Sequence, residues 1–564
     1  MSLYGSLQIG GNTLHAMQIG LQVVGNNIAN SNTPGFVRER AVFTPAPVQR
    51  IGNLTLGLGV EVAGIVQSVD RFAEERLRDA GGDRASADIQ EKAYRELEGI
   101  LGELTDSDVS SLMAGFFNSV DEVLNQPEAI SIRSLAVQAG KTLTTSINTL
   151  DRRVSAVYED YSKQVSGLSS EINTLSEEIR KLNLQIVTLE GGSLGNEAGG
   201  LRSARQAALK RLGEIMTIKV TETEAGATNV SVGGEFLVFE GTRQEVQTVY
   251  SSTEGLQTAS IEFIHNGSEL RVGGGELHGL VEARDNIAGK FLDRLDEFAQ
   301  ALTFEFNKVY SQGQGITGFG DVLSLEAVDD ASASLDAAGL PFAPTSGQFQ
   351  VLVYNRKTNL TQTSDVVIDL NGLDGDTSLA SLATTLNGID GVTARVNADN
   401  RLEIEAESTE TELAFSGDTS GVLAALGINT FFTGSSAGDI DVNQTLLDDA
   451  SKFAAASDGV GVGVDNARRL VSLHDERIDD LNGGSISGVY DQLLNETTQG
   501  STVASAVADG LRTFEATLDA AAQGVSGVNL DEEAIDMIML QRTYQAAARY
   551  IGTLSDLLDV LVNL

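Results

Sequence analysis

The chain has 564 residues, of which 38 are basic and 79 are acidic, so its formal net charge at pH 7 is −41. A surface this acidic repels nucleic acid and anionic membranes, and a chain of this length is too long for a single core, so several domains are expected. It contains no cysteine, which excludes disulfides, thiolate catalysis and cysteine-ligated metals.

The first 28 residues predict an amphipathic helix with a heptad stripe. This stripe is formed by Leu3, Leu7, Leu14, Met17, Leu21, Val24 and Ile28, with Gly10 as a poorly filled position. The segment lacks the charged and apolar regions of a cleavable signal peptide, and no stretch reaches the roughly 18 apolar residues of a membrane span. We therefore expect a cytoplasmic protein or one exported without a cleavable signal.

The turn-rich segment from Asn30 to Gly35 ends this first helix, because Pro34 has no N–H for helical hydrogen bonding. Extended chain is predicted from Phe36 to Val66. Asp70 then predicts the N-cap of a helical region that runs, with breaks, to about Glu190. Its longest helix is predicted over residues 135–189 from a sustained heptad pattern.

Two β-rich segments interrupt the helical pattern. In residues 217–275, hairpins are predicted around Gly233-Gly234 and Asn266-Gly267. In residues 320–435, alternating apolar residues predict further strands, with a short helix from Ser378 to Asn387. Helical patterns surround both β-rich segments.

The C-terminal segment carries an unbroken heptad stripe. Its members are Met537, Leu540, Tyr544, Ala547, Ile551, Leu554, Leu558 and Leu561. Such a stripe needs a second apolar stripe to cover it, and the first helix supplies one. Asn529 is positioned to cap this helix, with Glu532 in the capping-box position. We expect the two chain ends to pair, to be disordered or molten in the free chain and to fold on assembly. The alternative is an ordinary helical hairpin formed within one chain.

No catalytic, cofactor or metal site is predicted. The glycine pattern at Gly313–Gly318 resembles a dinucleotide-binding loop, but it follows a predicted helix instead of a strand. The four histidines have no metal-ligand spacing.

Two terminal motifs resemble those of a known family. VGNNIANSNTPGF at residues 24–36 is similar to the N-terminal signature of the flagellar axial proteins, which include rod, hook and hook-associated proteins. SGVNLDEE at residues 526–533 and QRTYQAAA at residues 541–548 resemble their C-terminal signature. The length and the long helix after residue 135 favour a hook-associated member.

The stripes and the motifs together define the predicted assembly residues. They are Leu3, Leu7, Leu14, Leu21, Asn26, Asn27, Ile28, Asn30, Thr33, Pro34, Gly35, Phe36, Val528, Asn529, Leu530, Glu532, Leu540, Gln541, Tyr544, Ile551, Leu554, Leu558 and Leu561.

The predicted fold class is α+β multidomain, with long coiled-coil helices from both chain ends forming a rod and with inserted β-rich modules. The predicted domains are a terminal assembly domain, a helical rod domain, a small β part and an outer β-rich module. They comprise, in that order, residues 1–45 with 526–564; residues 46–216 with 276–319 and 436–525; residues 217–275; and residues 320–435.

The resemblance implies a structural adaptor without enzymatic activity, in which subunits form a ring at the junction between hook and filament. It also implies contacts with the hook protein and the next hook-associated protein, an export chaperone on the C-terminal helix, and an extracellular location after export through the flagellar type III channel. The alternatives are another axial protein, of hook or rod, and a flagellum-exported hydrolase.

Overall fold

The computed structural model describes residues 3–33, 35–51, 54–102, 108–191, 197–253, 255–373, 375–481 and 483–562. The chain combines long helices at both ends with several small sheets, which confirms the predicted α+β class. Within these described ranges, no helix is long and apolar enough to cross a bilayer.

Four of the described helices exceed thirty residues. In chain order, the described helices are α1 (Leu3–Ala29), α2 (Arg71–Gly102), α3 (Val109–Asn125), α4 (Ile130–Glu190), α5 (Gly199–Ile215), α6 (Gly275–Val281), α7 (Lys290–Tyr310), α8 (Leu379–Leu386), α9 (Val422–Leu426), α10 (Gln444–Asp448), α11 (Asp465–Ser472), α12 (Ile486–Ser526) and α13 (Leu530–Val562). The four long ones are α2, α4, α12 and α13. A π-helical segment, Glu282–Gly289, joins α6 to α7.

The strands form small antiparallel sheets. They are β1 (Glu39–Pro45), β2 (Gln49–Ile51), β3 (Leu54–Leu56), β4 (Val60–Gln67), β5 (Lys219–Glu222), β6 (Thr228–Val232), β7 (Glu235–Phe239), β8 (Thr242–Arg243), β9 (Val246–Thr253), β10 (Leu256–Phe263), β11 (Asp321–Leu323), β12 (Gly347–Asn355), β13 (Leu360–Ile368), β14 (Val392–Val396), β15 (Leu402–Ala406), β16 (Thr411–Ser416), β17 (Phe432–Thr433) and β18 (Asp441–Val442).

The chain divides into two compact units. Unit 1 comprises Met1–Ala93, Glu159–Asn286 and Thr502–Leu564, and unit 2 comprises Tyr94–Tyr158 and Ile287–Ser501. Both chain ends therefore belong to unit 1, together with the hairpin of β1 and β4 and the sheet of β5 to β8.

Unit 1 is organised around helices that support short strands. The Asn173 side chain of α4 hydrogen-bonds both backbone groups of Val246 at the start of β9, at 2.7 and 3.0 Å. Further along α4, Asn183 accepts a hydrogen bond from the Thr228 amide at 3.0 Å. Because a side-chain amide both donates and accepts, each asparagine satisfies backbone groups that the strands leave unpaired.

Unit 2 has an aromatic core and a β-rich part. Phe306 of α7 lies against Phe116, Phe431 and Phe432, with ring centroids 5.2 to 5.3 Å apart. The sheets β11–β15–β14 and β13–β12–β16 enclose a separate apolar core together with α8 and α9. Ser378 caps α8 through a capping box, which confirms the short helix predicted there.

The heptad pattern of the long helix is confirmed, and the hairpin predicted around Asn266-Gly267 is present but short. Helix α4 covers the predicted range, and its Leu143, Ile147 and Leu150 are fully buried. The main partner of β10 is β9, whereas beyond the Asn266-Gly267 turn only the bridge between Glu262 and Glu269 forms. Asn266 and Gly267 correctly predicted a turn, but they could not indicate that β10 pairs along its length with the preceding strand β9.

Candidate assembly surface

The two terminal helices, α1 and α13, pair in antiparallel orientation within unit 1. Gly10 lies against Ile551, and Gly20 lies against Leu540. At the far end of α1, the Asn27 side chain reaches Glu533. Since residue numbers rise along one helix as they fall along the other, the helices run antiparallel in a single register. The single chain thus contains the paired ends that the heptad stripes predict.

The buried face of α1 is formed largely by small residues. Ser6, Gly10, Ala16, Met17, Gly20, Val23, Val24 and Asn27 are buried. The predicted Leu3, Leu7, Leu14, Leu21 and Ile28 are only half-buried. Met17 and Val24 of the predicted stripe are buried, and Leu21 and Ile28 pack against the same cluster. The contact face therefore keeps part of the predicted stripe and adds glycine and alanine positions, which the hydrophobic pattern alone could not indicate.

Two glycines set the distance between the helices. A Cβ added at Gly10 would lie 2.6 Å from Cγ1 of Ile551, and one added at Gly20 would lie 3.2 Å from both Leu540 methyl carbons. Neither position has room for an ordinary side chain. The weak seam position predicted at Gly10 is instead a point of close approach.

The stripe of α13 is buried at alternate positions. Leu540, Ala547 and Leu554 are buried, whereas Met537, Ile551 and Leu558 are half-buried. Tyr544 is 38% exposed, and Gln541 and Leu530 are exposed. The helix reaches Leu561, whose side chain lies outside the described residues. A small cluster of Ala16, Met17, Val24 and Leu540, flanked by Val60 and Val62 of β4, forms the apolar centre of this pair.

A buried polar group joins the two chain ends. The Glu533 carboxylate, 1% exposed, accepts hydrogen bonds from Nε of Arg38 at 2.7 Å and from Nδ2 of Asn27 at 3.1 Å. Asn27 also donates to the Glu39 carbonyl oxygen and accepts from the Glu39 amide. Asn27 was predicted as an assembly residue, but Arg38 and Glu533 were missed because their contact spans almost the whole sequence.

Asn30, Thr33 and Gly35 of the N-terminal motif shape the turn that ends α1. The Asn30 side chain donates to the Asn26 carbonyl oxygen at 3.0 Å, and the Thr33 amide donates to the Asn30 carbonyl oxygen at 2.9 Å. Gly35 has a φ of +74°, in the left-handed region that favours glycine. Pro34 lies outside the described residues, and Phe36 is half-buried beyond the turn. These residues therefore direct the chain from α1 into β1.

The C-terminal motif forms the joint between α12 and α13. The Asn529 side chain accepts from the Asp531 amide at 3.0 Å, as expected of a cap. The Glu532 carboxylate contacts Nη1 of Arg38 at 3.0 Å, so an ion pair replaces the predicted capping-box role of Glu532. Val528, between the helices, is half-buried.

A second apolar face of α13 remains uncovered in the single chain. Its large side chains are more than two-fifths exposed; they are Ile535, Ile538, Met539, Tyr550, Leu557 and Val560. Ile538 lies two residues before the buried Leu540, so it points to nearly the opposite side of the helix. A continuous exposed apolar face of this kind is typical of a protein–protein contact.

The sites considered for chemistry have structural explanations. The Gly313–Gly318 segment is a loop whose Gln314 forms a bridge with Ala456, and no helix begins there. Burial raises the pKa of the Glu326 carboxyl, with Arg401 acting in the opposite direction. The described residues hold no group of three or more histidine or acidic side chains arranged for a metal ion.

Comparisons with known proteins agree with these motifs. The family model "Flagellar hook-associated protein FlgK helical domain" matches residues 94–322. The models "Flagella basal body rod protein" and "Flagellar basal body rod FlgEFG protein C-terminal" match residues 7–36 and 522–564. The chain thus resembles axial proteins at both ends and hook-associated proteins in its helical part.

Curated relatives match over nearly their whole length. Flagellar hook-associated protein 1 of Escherichia coli (strain K12) is 23% identical, with 98% of each chain aligned. The Bacillus subtilis (strain 168) protein of the same name is also 23% identical, over 100% of this chain and 98% of that one. Among solved structures, the flagellar hook junction protein FlgK from Burkholderia pseudomallei aligns with 80% of this chain and 100% of its own, at 13% identity and a TM-score of 0.49.

Proposed function

We propose that the chain is a member of the flagellar hook-associated protein 1 family and acts as a structural adaptor at the hook–filament junction of a bacterial flagellum, without enzymatic activity. The observation that carries this proposal is the arrangement of α13. One of its faces is buried against α1, and its other apolar face is left free for neighbouring subunits.

Assembly as a ring follows from that arrangement. A single pair of helices buries one stripe on each, whereas the exposed residues of α13 require a further surface to exclude water. In a ring of identical subunits the contacts are head-to-tail, so the apolar face of α13 on each subunit would meet a different surface of the next subunit. We assign assembly to residues 1–45 and 526–564, the predicted terminal domain.

The remaining predicted domains form the supporting parts of the adaptor. Residues 46–216, 276–319 and 436–525 are assigned to the helical rod domain, residues 217–275 to the small β part, and residues 320–435 to the outer module. The acidic composition suits an outer, solvent-facing position for such modules.

The proposed partners are those of a junction protein. They are other copies of this chain, the hook protein on one side and the next hook-associated protein on the other.

We further propose export through the flagellar type III channel without a cleavable signal, to an extracellular position on the flagellum, with a chaperone covering the C-terminal helix beforehand. The exposed apolar face of α13 provides the surface that a chaperone would cover.

Labelled electron microscopy of the flagellum tests the position. Cells that lack the chain should carry hooks without filaments, and a tagged copy should restore filaments and place the label in a single band at the hook end. A label distributed along the hook or within the rod would instead identify another axial protein.

A hydrolase assay tests the enzymatic alternative. The purified chain is expected to release no fragments from peptidoglycan, since the proposed adaptor function involves no catalytic group. Hydrolysis that is lost after substitution of Glu326, the acidic side chain with a burial-raised pKa in the outer module, would contradict the adaptor assignment.

A further inference from the structure

A cavity of about 280 Å³ lies within unit 1, between α2, α5 and β5. Four arginines line it: Arg71, Arg78, Arg202 and Arg205. The proposed adaptor function uses none of these residues, because the terminal helices carry assembly. The cavity therefore needs its own explanation.

Three of the four arginines have acidic partners within the chain. Arg202 lies 2.8 Å from a carboxylate oxygen of Glu190 and 2.8 Å from one of Glu222. Glu222 also contacts Arg71 at 2.6 Å and Arg205 at 3.4 Å. Each of these three guanidinium groups is thus already paired with Glu190, Glu222 or both, which weakens its attraction for a further anion.

Arg78 is the exception. Its side chain is 92% buried, and it makes no hydrogen bond or ion pair with any described residue; its Nε is enclosed and unpartnered. Glu75 and Asp79 on the same helix are exposed and do not pair with it. Burial lowers the pKa of the Arg78 guanidinium, and the more distant charges of Asp79, Glu75 and Glu74 act in the opposite direction, but arginine remains charged under all ordinary conditions. An unpaired buried charge is costly, which calls for a partner.

The position of Arg78 is fixed by its packing. Its side-chain stem crosses α5 at Gly213, where an added Cβ would lie 2.2 Å from Cγ of Arg78. A side chain at residue 213 would therefore displace the arginine. The guanidinium is held beside the cavity before any ligand arrives, and such preorganisation favours binding.

We propose that Arg78 receives a carboxylate from outside the chain, either that of a small carboxylic acid or that of an aspartate or glutamate side chain of a second copy. A carboxylate matches the planar guanidinium through two parallel hydrogen bonds. Val69, Leu209 and Val220 line the same cavity and suit a short aliphatic stem. Glu74, Glu75 and Glu197 also line it, and they disfavour a doubly charged anion such as sulfate.

Thermal unfolding of the unassembled full-length chain tests the small-molecule source. Acetate and butyrate, each singly charged, are titrated at constant ionic strength, with chloride and sulfate as comparison anions. Because a ligand that binds only the folded state raises the unfolding midpoint, we expect a saturable rise with the carboxylates that is absent in Arg78→Met. Arg76→Met, on an exposed neighbour over the Phe72 ring, should keep the rise.

Assembly of the same variants tests the second copy as the source. If a neighbour supplies the carboxylate, free carboxylates leave the midpoint unchanged, and Arg78→Met raises the concentration needed for assembly about tenfold relative to Arg76→Met. Unassembled Arg78→Met should unfold at or above the wild-type midpoint, because the substitution removes an unpaired charge.

The outcomes separate this proposal from the adaptor function. The proposal is overturned if carboxylates leave the unfolding midpoint unchanged and Arg78→Met assembles normally. It is also overturned if unassembled Arg78→Met unfolds below the wild-type midpoint and shows no other change. If the wild-type chain fails to assemble at all, the adaptor function fails, while the titration of the unassembled chain still decides on the small-molecule source.

Discussion

At the scale of residues, the ends of the chain are joined by one buried carboxylate. Glu533 accepts hydrogen bonds from Arg38 and Asn27, which belong to the opposite end of the sequence. The neighbouring Glu532 also contacts Arg38, but its side chain is 59% exposed. Consecutive glutamates of the same helix turn therefore offer a matched comparison between a buried and an exposed contact.

Glu533→Gln should weaken the pairing of the ends far more than Glu532→Gln. Glutamine keeps one acceptor oxygen but turns its NH2 group, itself a donor, toward either Arg38 or Asn27, which also donate. We expect the opening free energy of α13 to fall by roughly 1.5–3 kcal/mol. The exposed substitution should cost less than about 1 kcal/mol. Hydrogen exchange of the α13 amides measures both, and equal losses would contradict the role given to Glu533.

A second residue-scale prediction concerns adjacent glycines of α1. Gly10 touches Ile551, whereas Gly11 has no heavy atom near the position of an added Cβ. Alanine improves helix propensity at either position, so the difference between the variants isolates the contact. We expect Gly10→Ala to be less stable than Gly11→Ala by about 1–3 kcal/mol, the usual cost of overpacking. The same exchange measurement applies, and similar opening free energies would show that the helices do not approach closely at Gly10.

At the scale of elements, periodicity predicted the helices well but not the faces they use. Helices α1, α4 and α13 follow heptad patterns that persist over many turns, so their positions were readable from the sequence. The choice of Gly10 and Gly20 over Leu7 and Leu14 for the contact with α13 depends on how closely two backbones approach. That distance is a tertiary property, and no local pattern encodes it.

Tertiary contacts also explain why the sequence did not predict the partners of Glu532, at the joint between α12 and α13, and of strand β10. Glu532 fits a capping box locally, yet Arg38, which is distant in sequence, is its observed partner. Strand β10 carries a turn signal at its C-terminal end, yet it pairs mainly with β9. Local propensity identified each element correctly, and the long-range partners determined the contacts.

The terminal helices should be less stable before assembly than after it. Their shared core is small and α13 exposes a second apolar face, so the sequence-based prediction of disorder in the free chain becomes a prediction about the stability of this pair. In the unassembled chain, amides of residues 3–28 and 537–561 should exchange faster than those of α7, and assembly should slow them. Protection equal to that of α7 before assembly would contradict folding on assembly.

At the scale of the whole molecule, assembly is assigned to the terminal segments and not to the outer module, residues 320–435. The structure also shows where most of this module can be deleted. The Glu326 amide donates to the Leu426 carbonyl oxygen at 3.2 Å, so the chain enters and leaves this part at neighbouring points. A cut there keeps Phe431 and Phe432, which belong to the aromatic core of unit 2.

Removing residues 326–426, with a two-glycine link in their place, should leave a chain that still assembles and still attaches filaments. The reason is that the proposed assembly contacts lie in the terminal segments. Filament attachment in cells and sedimentation of the purified chain measure the outcome. Loss of assembly in a variant whose circular dichroism still shows intact helices would assign assembly to the outer part instead.

The most direct test of the account is assembly of the chain with Ile538→Asp, measured by sedimentation alongside the thermal unfolding of its unassembled form. Ile538 is 51% exposed in the single chain, so the account predicts an unchanged unfolding midpoint and a loss of assembly, with Ile538→Val assembling normally. Leu554→Asp, at a buried position, should instead disturb both the pairing with α1 and assembly. Normal assembly of Ile538→Asp would contradict the claim that the free face of α13 joins neighbouring subunits.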